Sequence, residues 1–241
     1  MVAAMSVLDQ IYNFSPLDAF ALALMFVLWG GFERLVERQD ARRPSVSVLM
    51  AQYRRDWMRE FVTRENRIFD VNILANLRQG TTFFASASMI AIGGALALIG
   101  NPERLSGVAE NLSLGENPSS VWEIKLLPVV LLLANAFLKF VWSHRLFGYC
   151  AVMLASIPDD PADPRTRARA EKAAEINISA ARSFNRGLRS LYFSLGAMAW
   201  LVGAWPLIAA TLITALVLWR REYGSNSRRV LLRDDEPQRA A

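Results

Sequence analysis

The stretch LLPVVLLLANAFLKFVW, residues 126–142, decides the fold class. It contains one charged side chain, Lys139, and is otherwise almost entirely aliphatic or aromatic. A bilayer core about 30 Å thick is crossed by roughly 20 apolar residues in helical conformation. The stretch therefore predicts a membrane-spanning helix, which we place at residues 122–145.

Further apolar runs lie on both sides of this stretch, separated by segments dense in charge. The first opens with Ser15, Pro16 and Asp18, which are a good helix cap, a first-turn proline and an acid near the amino end. Predicted crossings are residues 16–35, 81–100, 122–145, 188–204 and 206–220. The pattern predicts an all-α protein: a polytopic transmembrane helical bundle with four or five crossings and amphipathic cytoplasmic helices, forming one domain over residues 1–224.

The number of crossings depends on residues 191–219, an apolar run too long for one untilted crossing. As one helix it would be about 43 Å long. Gly203 and Pro206 lie near its middle and are typical of a turn, and Trp205 between them is typical of a membrane-water boundary. We favour a hairpin of two short crossings, with a single long crossing as the alternative.

The distribution of basic residues predicts the orientation. Residues 36–80 contain nine Lys and Arg and residues 143–190 contain eight, whereas the first sixteen residues contain none. Basic loops stay in the cytoplasm. The amino terminus is therefore expected on the outer, non-cytoplasmic side of the inner (plasma) membrane. The six basic residues from Arg220 onward favour a cytoplasmic carboxyl terminus, which requires the hairpin.

The first basic loop contains YRRDWMREFVTRENRIFD, residues 53–70, half of them charged. Apolar and aromatic side chains recur at three- and four-residue steps, which indicates an amphipathic helix. The residues that define its two faces are Tyr53, Arg54, Arg55, Trp57, Arg59 and Phe61. Such a helix can lie on the anionic inner leaflet of the bilayer, or its stripe can pack against other cytoplasmic helices. Interspersed acids exclude a nucleic-acid partner.

The second basic loop begins with a linker, Pro158 to Pro164, in which Asp163 and Pro164 predict a helix start. The helix that follows is expected to cover the cytoplasmic loop 158–187 and to run into the membrane. Residues 225–241 are polar and lack periodicity, which predicts a disordered cytoplasmic tail.

Two polar residues inside the third crossing, Asn135 and Lys139, lie one turn apart and share a helix face. A charged group at membrane depth usually faces protein, water or a partner, so the pair is a candidate intramembrane site, with Glu33 and Glu37 as ion partners. The alternative is that Lys139 extends to the interface and that the two acids form a solvated helix end.

Other chemistry is not predicted. His144 is the only histidine and Cys150 the only cysteine, and the nucleotide-binding and nucleophile-elbow motifs are absent. We predict no catalytic residues, no metal ligands and no cofactor, and hence no enzyme. Arg186 is expected to make a structural ion pair with an acid of the first loop, Asp56 or Asp70.

A series of strings in this sequence resembles the family of predicted membrane proteins called domain of unknown function 599. The strings are YRRDWM (53–58), RENRIFDVNILANL (64–77), TTFFAS (81–86), WEIKLL (122–127), FLKFVWSHRLFGYC (137–150), FNRGLRSLYF (184–193) and WRREY (219–223). The resemblance as a whole covers roughly residues 16–224. The resemblance implies a polytopic membrane protein and brings no activity, cofactor or catalytic residue.

Two functions are compatible with these features. The first is a membrane interaction, scaffold or accessory protein that acts through its basic amphipathic cytoplasmic helices, with the lipid bilayer and a second copy or another membrane protein as partners. The alternative is a small oligomeric transporter or channel that uses Asn135 and Lys139.

Overall fold

A computed structural model describes residues 14–38, 42–101 and 119–233, and within these ranges the chain is helical, with no strand. The elements are α1 (Pro16–Val36), α2 (Val46–Thr63), α3 (Ile68–Ile99), α4 (Ser119–Ala155), α5 (Pro164–Ala197), a 3-10 helix (Met198–Leu201), α6 (Ala204–Tyr223) and α7 (Asn226–Leu231). The predicted all-α fold class is confirmed.

Four helical segments are long and apolar enough to cross a membrane: α1, α3, residues 120–155 of α4, and Ala204–Leu231. Large apolar side chains on their outer faces are exposed, among them Phe83, Ile90, Leu138, Leu212 and Leu216. A surface of this kind is stable against lipid tails rather than water. The chain is therefore a multi-pass membrane protein.

Local capping sets two of the helix starts. Ser15 and Asp18 form a reciprocal capping box at the start of α1, with Ser15 Oγ accepting from the Asp18 backbone N–H at 3.2 Å. Asp163 caps α5 by accepting from the backbone N–H of Arg165 at 2.8 Å. The side-chain bonds to Arg165 also lower the pKa of Asp163 to about 2. Both starts lie where the sequence predicts them.

Two helices extend well beyond the predicted crossings. Residues 68–80, placed in the cytoplasmic helical loop 36–80, are continuous with the crossing as the first three turns of α3, and α4 continues past Arg145 to Ala155. Ordinary helix formers fill both extensions, and an isolated glycine such as Gly80 or Gly148 is tolerated in a helix interior. Hydropathy marks where a helix enters lipid, not where it begins or ends.

The chain reverses direction at Gly203, within the predicted turn. Gly203 has φ +152°, a conformation that side chains with a Cβ rarely adopt. The helices on either side run antiparallel: Gly196 of α5 lies against Thr214 and Ala210 of α6. Residues 191–219 are thus two packed helices rather than one long one.

Two ends of the bundle can be distinguished. At the turn end, next to Gly203, Trp200 Nε1 donates to Asp18 Oδ1 at 2.7 Å, and Lys125 Nζ lies 5.0 Å from the ring of Trp122. At the opposite end Tyr223 Oη donates to the carbonyl of Leu35 at 3.0 Å, so α1 and α6 run side by side.

The buried core consists of two clusters that lie at different heights between the two ends of the bundle. Between the crossings a first cluster includes Met25, Leu132, Phe193 and Leu207. A second cluster lies at the end opposite the turn and joins Met58 and Phe61 of α2 to α3, α4 and α5. We call α2, residues 146–155 of α4 and residues 164–187 of α5 the platform, and this end of the molecule the platform end.

The tail departs from its prediction in one place. Residues 226–231 form the short helix α7, whose start is capped by Ser225, instead of being disordered. Arg228 Nε donates to the carbonyl of Pro44 at 3.0 Å and fastens α7 beside the start of α2. The rest of the predicted disordered segment, residues 234–241, lies outside the described residues.

Candidate functional site

The start of α2 is held by the ends of two membrane helices. Ser45 caps α2 and donates its own hydroxyl to the carbonyl of Val36, the last residue of α1, at 2.7 Å. The carboxylate of Glu222, near the end of α6, accepts from the backbone N–H of Ser47 at 3.1 Å and from its hydroxyl at 3.0 Å. A carboxylate at a helix amino terminus is favourable because the first N–H groups have no partner within the helix.

Glu37, at the end of α1, binds arginines of α5. Arg186 donates to both of its oxygens, and Arg189 Nη2 donates to Oε1 at 2.9 Å. Arg182 Nε lies 3.9 Å from the same carboxylate, and Glu33 lies 3.9 Å from Arg186. The hydrogen bonds from Arg186 to Glu37 raise the pKa of that guanidinium. This Glu37 cluster joins the platform to the first membrane helix.

The expected partners of Arg186 were therefore wrong. Arg186 pairs with Glu37 rather than with Asp56 or Asp70, because the end of α1, not the first loop, lies against α5 at this height. Asp56 accepts instead from Arg59 of its own helix at 2.9 Å. Glu33 and Glu37, which were expected to be ion partners of Lys139, lie next to Arg186 instead.

Asp70 ties α2 to α3 at the far side of the platform. Its carboxylate is fully buried in the first turn of α3 and accepts from Trp57 Nε1 at 2.6 Å and from Arg64 Nη1 at 2.5 Å. The second oxygen, Oδ2, has no hydrogen-bond donor among the described residues. A buried carboxylate with one charged and one neutral donor at a helix start is explained as a structural tie.

The aromatic stripe of α2 packs in part against other helices of the protein. Phe61 is 2% exposed and packs with Phe147 and Ala173, and Trp57 is half-buried on the same cluster, whereas Tyr53 is exposed. On the charged side Arg55 Nε pairs with Glu175 of α5 at 2.7 Å. The packing of α2 on its neighbours is thus observed, and contact of the same helix with the membrane surface stays a prediction.

Asn135 and Lys139, the two polar residues within the crossing part of α4, differ in their contacts. Asn135 Oδ1 accepts from the hydroxyl of Ser190 at 3.0 Å, and Trp29 Nε1 donates to that hydroxyl at 3.1 Å. This chain of hydrogen bonds joins α1, α5 and α4 and satisfies Asn135. Lys139 is half-buried and makes no hydrogen bond or ion pair with the described residues.

A cavity of about 740 Å³ opens in the platform, between α2 and α5, and reaches α3 and the end of α6. Its lining includes five arginines and two glutamates: Arg54, Arg55, Arg182, Arg189, Arg221, Glu37 and Glu222. Neither Asn135 nor Lys139 contributes to it. The volume is within the range of ligand-binding cavities, about 300–1,000 Å³.

Sequence reasoning missed this cavity. Arg54 and Arg55 were named only as residues of α2, but the wall is assembled from residues more than a hundred positions apart, such as Arg54 and Arg189. One signal was available: Arg182, Arg186 and Arg189 recur at three- and four-residue steps and therefore form an arginine stripe on a single face of α5.

Within the described residues, no three His, Cys, Asp or Glu side chains come close enough together to hold a metal ion. His144 Nδ1 lies 3.3 Å from the hydroxyl of Thr81 and 3.2 Å from that of Thr82, which join α4 to α3. Cys150 is buried and receives a hydrogen bond from Asn177 Nδ2 at 3.6 Å.

Comparison with known proteins is consistent with the sequence resemblance. No curated protein and no solved structure matched the chain. A family model described as "Protein of unknown function, DUF599" matches residues 20–227, nearly the whole described chain and including the platform. The chain belongs to the DUF599 family.

Proposed function

We propose that this protein is a multi-pass protein of the bacterial inner membrane that works as an interaction or accessory protein through its platform. The observation that carries the proposal is that α2 has a core of its own with α4 and α5, centred on Met58, Phe61 and Phe147. A folded helical layer with a buried core presents a fixed surface, as a recognition surface requires.

The proposed orientation places the platform in the cytoplasm. Both basic loops meet at the platform end, and lysine and arginine concentrate on the cytoplasmic side of membrane proteins. Since α1 begins at the turn end and α6 finishes at the platform end, the amino terminus is outside and the carboxyl terminus inside. The anionic inner leaflet is then adjacent to Arg221 and the other basic residues at this end.

The outer surface of the platform carries both signs of charge. Arg59, Arg167 and Lys172 are exposed, as are Glu60 and Glu171. Such a surface suits a protein partner, another membrane protein or a second copy of this chain, better than nucleic acid, whose backbone attracts an unbroken basic face.

Site-specific photo-crosslinking in cells tests the proposal. A photoreactive residue at Lys172, on the exposed side of the platform, should give discrete protein adducts, because a recognition surface holds its partner within reach. The matched control is the same residue at Leu138, which is 63% exposed on the crossing part of α4. Adducts at Leu138 alone, or at neither position, would contradict a platform-based function.

The proposal also predicts that Lys139→Met has little effect. The side chain has no ion pair among the described residues and does not line the cavity, so the variant should keep its melting temperature and its cross-links from position 172. A transporter or channel that used the Asn135–Lys139 site would instead lose its activity with folding intact. The melting temperature of the detergent-purified protein and the cross-linking pattern are the measurements.

A further inference from the structure

We propose that the platform cavity binds a phosphate-bearing amphiphile, with the phosphate held by Arg54 and Arg189 and the apolar part lying against the walls of the cavity. The inference goes beyond the proposed function, since it assigns a small ligand to the inside of the platform rather than a protein partner to its outside.

The first support is an excess of positive charge that the cavity's own acids do not neutralise. Five arginines face two glutamates in the lining. One of these, Glu37, is shared among Arg182, Arg186 and Arg189, and the other, Glu222, is occupied at the start of α2 by Ser47. Both carboxylates are thus engaged, and although Arg55 pairs with Glu175 outside the lining, the remaining arginines leave the cavity with a net positive charge that a bound anion would offset.

The second support is a half-buried cation without an anionic partner. Arg54 reaches from α2 toward α5 and donates Nη1 to Asn177 Oδ1, a neutral amide oxygen. Burial lowers the pKa of Arg54, and no carboxylate of the described residues pairs with it. Burying a charge is costly unless it is paired, so Arg54 is a position where an added anion is stabilising.

The third support is a pair of unused donors. The Nε–H groups of Arg54 and Arg189 are buried and have no acceptor among the described residues. The Arg189 side chain is 5% exposed, so a phosphate in the cavity reaches these two donors when the side chains turn toward it. A guanidinium presents its N–H groups in a planar fork that matches the oxygens of phosphate, which makes phosphate the anion that fits best.

The walls between these arginines determine the rest of the ligand. Leu49 of α2, Leu77 of α3, Phe147 of α4 and Ile178 and Phe184 of α5 all line the cavity. A free phosphate would fill only a small part of 740 Å³ and leave this apolar surface wet. Gly80 places one edge of the cavity directly before the crossing part of α3, within reach of the membrane interface.

Binding to the purified full chain tests the assignment, so that the presence or absence of a protein partner has no influence. The probes are inorganic pyrophosphate and nanodiscs of phosphatidylcholine with or without phosphatidic acid. Stabilisation by phosphatidic acid alone identifies a lipid source, and stabilisation by pyrophosphate as well identifies a site open to soluble phosphoesters. Either result supports the proposal, whereas an unchanged melting temperature with both probes overturns it.

Arg54→Gln is the informative variant, and Arg59→Gln is its control, because Arg59 is on the same helix but pairs with Asp56 at the surface. The affinity for the probe that binds should fall about ten- to hundredfold in Arg54→Gln, because one charge-assisted hydrogen bond is lost. It should stay unchanged in Arg59→Gln. Equal affinities in the two variants would refute the assignment and attribute any binding to general surface charge.

A second variant covers the case in which Arg54→Gln does not fold. Ala181→Leu adds volume at the cavity wall without changing any charge. It should reduce binding of the lipid more than binding of pyrophosphate, since the apolar part of the ligand loses its space. Full lipid binding by Ala181→Leu would show that the ligand lies elsewhere and overturn the proposal.

Discussion

Glu37→Gln is expected to lower the free energy of unfolding by about 3 kcal/mol, near the lower end of what removing one partner of a buried ion pair costs. The carboxylate is 16% exposed and Arg189 only 5%, so the substitution leaves a buried guanidinium without its anion. The bidentate pair with Arg186 is lost as well. Thermal or chemical unfolding of the purified protein in micelles, followed by tryptophan fluorescence, measures the loss.

Glu60→Gln is the matched control, because Glu60 is an exposed platform acid that undergoes the same change of charge. Its effect should stay within about 0.5 kcal/mol, as for most surface substitutions. Combining Glu37→Gln with Arg189→Gln should cost less than the two single losses together, since the double variant no longer buries an unpaired charge. Strict additivity would show that the two groups do not interact.

Gly187→Ala should destabilise the protein, although alanine is the better helix former. A Cβ at this position would lie 2.6 Å from Cε1 and 2.9 Å from Cδ1 of Phe140. The Phe140 ring is fully buried between Phe84, at 5.4 Å, and Phe184, at 5.5 Å, so it has no free space to move into. We expect a net loss of about 1–2 kcal/mol, because overpacking costs about 1–3 kcal/mol and the propensity gain is at most about 1.

Gly148→Ala is the control for this prediction. Gly148 also lies inside a long helix, but a Cβ there meets nothing within 4 Å, so the propensity gain should appear alone as a small stabilisation. Phe140→Leu should partly rescue Gly187→Ala by making room. A melting temperature of Gly187→Ala at or above that of the native protein would contradict the close packing of α4 on α5.

Much of the fold follows from local chemistry in the sequence. The apolar run that ends at Trp142 predicts a crossing because no water is available in lipid to satisfy a charged side chain or an open backbone. Ser15 and Asp163 mark helix starts because their side chains accept from N–H groups three or two residues ahead. Gly203 marks the reversal because its backbone conformation is strained for other residues.

The features that the sequence did not predict depend on packing between distant segments. Residues 68–80 were placed in a cytoplasmic helical loop, but their continuity with the following crossing as one helix packed on α4 was not predicted. Arg186 could be assigned a carboxylate but not the right one, since Asp56, Asp70 and Glu37 differ only in where the fold places them. The platform cavity has no local signature.

The continuous course of α5 gives the molecule a mechanical property. Its 34 residues form a rod about 51 Å long. Past its middle it carries Arg186 and Arg189, which bind Glu37 of α1, and through the 3-10 helix it leads to Trp200, which donates to Asp18 near the start of the same helix. Helices resist bending over such lengths when no proline interrupts them. A tilt of this helix at the platform is therefore expected to displace the turn end, where Trp200 donates to Asp18.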